Sequence, residues 1–134
     1  MSYHAATPSV YHPTTTSRPG ATTFREVCRS ARAQHLTTQG YRILARNYRY
    51  RKAEIDLIAQ KDQLLCFIEV KARTSLRFGY PETFVKSQQR KLIKHAADNY
   101  IYTYNWSHPI RFDIISILQK QHTVELTHFE DAFM

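Results

Sequence analysis

From Phe24 to Gln39 the apolar residues Phe24, Val27, Cys28, Ala31 and Leu36 recur at roughly helical spacing, and Gly40 stands where a C-terminal stop belongs. This predicts a first helix. Tyr41 to Tyr48 then mixes β-branched and aromatic residues with arginines, as a strand does, and Arg49 to Lys52 is polar. Within Ala53 to Gln60, Ile55, Leu57 and Ala59 alternate against Glu54, Asp56 and Ile58, and Leu64 to Lys71 forms a second apolar strand. The short link Lys61-Asp62-Gln63 predicts an antiparallel hairpin. Between Pro81 and Tyr104 the apolar set Phe84, Val85, Leu92, Ile93, Ala96, Ala97, Tyr100 and Ile101 suits a long amphipathic helix. Ile110 to Leu118 reads as another strand, with Thr123 to Thr127 a candidate edge strand. The order α-β-β-β-α-β(-β) is that of an α/β or α+β sandwich, a mixed sheet of four to five strands flanked by helices.

Residues 1–22 are rich in Thr, Ser, Pro and Ala with one charged residue, Arg18, and are expected to be a flexible tail or to pack on a neighbour. Residues 23–134 fit a single domain, since 134 residues with 43% hydrophobic content support one core. Cys28 and Cys66 lack metal-ligand spacing and read as small core residues in a reducing compartment. Neither the seven histidines nor the cysteines form a zinc pattern. No apolar run approaches the ~20 residues that span a bilayer, and the N-terminus has no signal-peptide core. The expectation is a cytoplasmic protein with no membrane partner.

Charge narrows the partners. Nineteen Lys and Arg against eleven Asp and Glu give a formal charge of +8, which favours polyanions, nucleic acid first among them. Basic and aromatic residues interleave at Arg42, Arg46, Tyr48, Arg49, Tyr50, Arg51 and Lys52, a composition suited to phosphate contact and base stacking. Arg73 and Arg77 follow the second hairpin strand, and Lys86 and Arg90 open the long helix. Each run alone is more often a solvated face; together they surround the carboxylates.

Within this frame Asp56, Glu69 and Lys71 supply the chemistry of phosphodiester hydrolysis. Two carboxylates and a backbone carbonyl suit Mg²⁺ or Mn²⁺, and an ammonium beside them can orient water or stabilise developing charge. Glu69 and Lys71 lie two apart on a strand and share a face. Asp56 joins them only if the hairpin register agrees. Pairing Gln60 with Gln63 sets Asp56 opposite Phe67, leaving Glu69 a diagonal neighbour at about 7–8 Å. Pairing Gln60 with Leu65 sets Asp56 directly opposite Glu69. A simple three-residue loop would put the carboxylates on opposite faces. The competing reading makes Glu69 and Lys71 surface residues in weak ion pairs; against it, the strand they end is otherwise apolar.

The blocks from Gly40-Tyr41-Arg42 to Tyr48-Arg49, from Ala53-Glu54-Ile55-Asp56 to Ala59, from Phe67-Ile68-Glu69-Val70-Lys71 to Arg73, and Arg111-Phe112-Asp113 resemble the YraN-like family of uncharacterised bacterial proteins over roughly residues 24–130. That family resembles archaeal Holliday junction resolvases and the restriction-endonuclease-like, PD-(D/E)xK superfamily. The resemblance implies a nuclease fold acting on structured or branched DNA, DNA rather than RNA, with Asp56 and Glu69 as metal ligands. It also implies the Val70 carbonyl as a further ligand, Lys71 as the catalytic lysine and a homodimer where two strands are cut. The alternative is a catalytically silent nucleic-acid-binding module. Where the superfamily carries a helix Gly-Glu, this chain has Cys28-Arg29, and Glu26 lies about one turn earlier as the nearest carboxylate. Glu54 is read as a partner for a basic residue, Asp113 as a partner of Arg111, and Gln88 as a helix-surface residue.

Overall fold

The computed structural model describes residues 7–12, 23–75 and 85–134. In chain order these form β1 (Ser9–Tyr11), α1 (Phe24–Thr38), β2 (Arg42–Tyr50), β3 (Ala53–Lys61), β4 (Leu64–Arg73), α2 (Ser87–Thr103), β5 (Ile110–Gln119) and β6 (Val124–Phe129). The six strands make one mixed sheet in the order β1-β6-β5-β4-β3-β2. Only β4 and β5 run parallel, and α2 connects them.

One helix covers each face. Cys28, Ala31 and Leu36 of α1 pack on Leu57, Ala59, Cys66, Ile68, Ile115 and Ile117. On the opposite face Ile93, Ala96, Ala97 and Tyr100 of α2 pack on Ile55, Ile58, Leu65, Phe67, Phe112 and Ile114. Phe67 is fully buried, stacked on Phe112 at 5.3 Å and edge-on to Tyr100 at 6.1 Å. This α+β architecture is the one the periodicity predicts, with differences at the margins. The sheet gains a sixth strand, because Ser9–Tyr11 inside the presumed tail pairs with β6. Val10 stays exposed there, while Tyr11 packs part-buried against the α1-side core beside the backbone pairing. The second helix starts at Ser87, and Lys86 before it is extended. Its predicted beginning at Pro81, with Phe84, and the candidate Arg77 lie outside the described residues.

Helix α1 is set by its ends. Thr23 accepts from the Glu26 amide, while the Glu26 carboxylate accepts from the Thr23 amide. Gly40 adopts φ +89°, as a helix-terminating residue should.

A buried polar network ties α1 to the sheet. Asp113, fully buried, accepts two bonds from Arg111 at 2.8 Å, one from His128 Nε2 at 2.8 Å and one from the Asp131 amide at 3.0 Å. Burial opposes its charge, but these bonds prevail and hold its carboxyl below the usual range. His128 Nδ1 lies 3.0 Å from His35 Nε2, and His35 Nδ1 is buried without a partner. Asp113 thus pairs with Arg111, as expected.

Burial, with His128 beside it, pushes the His35 imidazole down to about 4. A histidine whose folded pKa lies below its unfolded value contributes stability that is full above pH 6.5 and is lost as pH falls toward 4. The melting temperature should therefore fall across that window, and His35→Gln should flatten the decline. An unchanged pH profile in His35→Gln would contradict this assignment.

Candidate active site

The strands are irregular where the candidate residues lie. The β2–β3 register shifts between Ile43↔Ala59 and Ala45↔Ile58, and Asn47 then takes a left-handed φ of 51°. Pairing resumes at Tyr48↔Ile55 without a further shift. Ala45 and Tyr48, three residues apart, both face α2, as do Ile55 and Ile58. Regular strands put residues three apart on opposite faces, so both strands turn over together opposite Asn47. Strict alternation predicts Ile55 beside Leu57; instead Ile55 joins the α2 core and Leu57 the α1 core. The turn-over brings Asp56 into a cleft beneath α1 of about 380 Å³, where it is joined by Asn47, Glu54, Val70 and Ala72.

The β3–β4 hairpin adopts the register Gln60↔Leu65, closed by Lys61↔Leu64, with Asp62 left-handed in the turn. This register sets Asp56 level with Glu69, but the turn-over places Asp56 in the cleft under α1 while Glu69 reaches Gln89 of α2, so the shared face expected of directly opposed residues is not kept. The ladder ends at Leu57↔Ile68, and the next bond is made by a side chain: Asp56 Oδ2 accepts from the Val70 amide at 2.8 Å. The two strands part here, and Asp56 is held against the amide of the residue that follows Glu69.

Glu69 is buried, with its carboxylate held from the other side of the sheet. Its Oε1 accepts from Gln89 Nε2 at 3.0 Å and lies 3.6 Å from Lys71 Nζ. Burial and then the Asp56 charge push Glu69 up to about 7, against the pull of Lys71 and Gln89. Burial likewise raises Asp56; the Val70 amide, Arg32 and Lys71 oppose the rise and Glu54 adds to it. Two partly desolvated carboxylates that repel each other fit a hard divalent cation, which would relieve the repulsion. No group of three or more His, Cys, Asp or Glu clusters among the described residues, so a cation here would rest on these two acids and backbone carbonyls such as that of Val70.

The remaining candidates divide. Glu26 is exposed and occupied in capping α1, and it does not line the cleft. Glu54 lines the cleft and pairs with Arg49 at 3.6 Å. Arg42 bonds Gln60 at 3.3 Å, and Arg46 and Arg49 are exposed on β2, an edge strand. Arg51 lies over the Tyr50 ring at 5.2 Å, Lys52 is exposed in the β2–β3 turn, and Arg73 ends β4 half-buried. Lys86 is exposed at the N-cap position of α2 without a side-chain capping bond, and Arg90 Nε donates to the Val85 carbonyl at 2.8 Å. Gln88 is exposed.

Sequence reasoning missed Gln89, Arg29 and Arg32. Gln89 stands four residues before the buried Ile93 on the apolar stripe of α2, a polar intrusion that was a signal. Arg25, Arg29 and Arg32 share one side of α1 and line the cleft.

The Glu69 shift fixes a sign. A carboxyl whose folded pKa is raised contributes stability that is full below its unfolded value of 4.5 and is lost as pH rises through about 7. In chelator at pH 8, Glu69→Gln should therefore stabilise the protein by about 1–3 kcal/mol, read as a higher melting temperature. A lower one would contradict the strained-pair description.

The uncharacterised protein family UPF0102 matches residues 30–117 of this chain. The UPF0102 protein of Flavobacterium psychrophilum is 42% identical over 100 residues, which cover 75% of this chain and 84% of that protein. The UPF0102 protein of Chlorobium phaeobacteroides is 45% identical over 108 residues, covering 75% and 85%, and that of Cytophaga hutchinsonii is 46% identical over 91 residues, covering 68% and 80%. The match runs from within α1, at residue 30, through both candidate strands and α2 into β5. This chain belongs to the UPF0102 family.

Proposed function

We propose that the chain is a Mg²⁺- or Mn²⁺-dependent endonuclease that hydrolyses phosphodiester bonds of structured or branched DNA. The observation that carries this reading is the pair Asp56 and Glu69, near enough to repel where β3 and β4 part, with Glu69 pushed up to about 7 and Lys71 3.6 Å from it. The three-stranded meander, crossover helix and parallel strand beside the site are consistent with a restriction-endonuclease-like, PD-(D/E)xK core.

In this reading Asp56 and Glu69 are the cation's ligands, with the Val70 carbonyl as a further donor. The bound cation would neutralise phosphate oxygens and lower the pKa of a water. The Val70 amide fixes the Asp56 carboxylate, and Gln89 fixes that of Glu69. Lys71 supplies an ammonium that orients the attacking water or meets charge developing on the phosphate. Arginines along edge strand β2 give the strand backbone a basic approach, and a homodimer would present two sites to two strands.

Arg29, standing where a helix carboxylate is expected, favours a second reading, a DNA-binding module without hydrolysis. Linear, flapped and four-way DNA incubated with the protein and Mn²⁺ separates the two. The nuclease reading predicts cleavage that falls at least 100-fold in Asp56→Ala. Cleavage that survives this substitution would refute the assigned site. Tight, salt-sensitive binding without cleavage of any substrate would favour the silent module.

A further inference from the structure

The cleft under α1 contains positive charge that the hydrolytic site does not use. Arg25, Arg29 and Arg32 line it, and among the described residues none of them is in ion-pair contact with a carboxylate. Of the two acids in the wall, Glu54 is engaged by Arg49, and Asp56 Oδ2 by the Val70 amide. Arg32 is half-buried, and its Nε is fully buried without an acceptor. Burial disfavours its charge; Asp56 offsets this, and the nearby Arg29 and Arg46 guanidiniums add to the penalty. A buried donor without a partner is unfavourable, and an anion held beside the Arg32 guanidinium would offset the burial of its charge.

We propose that this cleft seats a backbone phosphate of the DNA strand, with Arg29 and Arg32 as its ligands and Asp56 at its inner wall. Three features fit that occupant. The guanidinium fork matches two phosphate oxygens at once, and Arg29 and Arg32 both line the cleft. The volume of about 380 Å³ admits a phosphate with its flanking sugar carbons. The cleft also shares Asp56 and Val70 with the candidate cation site, so a strand held here lies against Asp56. Arg29 then has a role of its own: it grips the strand from the helix, in place of a carboxylate that would bind metal. The proposal rests on the nuclease reading only for the identity of the polyanion. Its residues act without any metal.

The test is binding in chelator, which separates it from cleavage. Affinity of the full chain for duplex DNA is measured against salt concentration for wild type, Arg29→Gln, Arg32→Gln and Lys61→Gln. Lys61 carries the same charge at the far end of β3 from Asp56, in the hairpin turn, and serves as the charge-matched control. Each cleft variant should bind about tenfold more weakly at low salt and lower the slope of log K against log salt by about 0.9. Lys61→Gln should leave the slope near that of wild type. Arg29 is exposed on the helix, so its variant keeps the fold even where Arg32→Gln does not. Loss in Arg29→Gln no greater than in Lys61→Gln overturns the proposal, as does absence of DNA binding by the wild type. Cleft variants that lose binding while Asp56→Ala still cleaves would sink the nuclease site and leave the phosphate seat standing.

Discussion

At the point where β3 and β4 part, a carboxylate takes the place of a backbone acceptor: Asp56 Oδ2 receives the Val70 amide at 2.8 Å. Much of the site follows from this bond. It ends the ladder at Leu57↔Ile68, so the strands diverge while the buried amide remains satisfied. It immobilises Asp56 beside Glu69. It also makes Val70 common to the hairpin, the cleft under α1 and the candidate cation site. The bond in turn depends on the joint turn-over of β2 and β3 opposite Asn47, which brings Asp56 to the α1 side without breaking the register.

Two buried acids of this chain behave in opposite ways. Asp113 is fully satisfied by Arg111, His128 and the Asp131 amide, and its carboxyl is held below the usual range. Glu69 has one glutamine and one ammonium, faces another carboxylate, and rises to about 7. Asp113 is organised for its charge as folded. Glu69 is left with a repulsion that a cation would relieve, and that imbalance marks a candidate site rather than a structural network. Arg32, which lines the same cleft half-buried with its Nε unpartnered, is a second imbalance, of opposite sign.

Most of the fold was legible because both helices and the long strands carry strong apolar periodicity, and because Gly40 stops α1. β1 was not legible, since Ser9–Tyr11 is three residues held by backbone pairing and one part-buried tyrosine, too short to show a period. Asp56, Glu69 and Lys71 stood out as charges on a buried hairpin, and parity reduced their relation to three registers, one of which the hairpin adopts. Alternation alone concealed the turn-over at Asn47, because Ile55 and Leu57 look equivalent in sequence yet serve opposite cores. The cleft arginines were hidden for another reason. Their role depends on α1 packing over Asp56, a contact between segments more than twenty residues apart.

The central claim is that Asp56 and Glu69 form one cation site. Calorimetric titration of Mn²⁺ into the metal-free chain at pH 6 and pH 8, repeated with Asp56→Asn, tests it most directly. The account predicts one Mn²⁺ per chain, bound more tightly at pH 8 because Glu69 is then ionised, and no such binding in Asp56→Asn. Equal Mn²⁺ binding by wild type and Asp56→Asn, or none by the wild type at either pH, would contradict it.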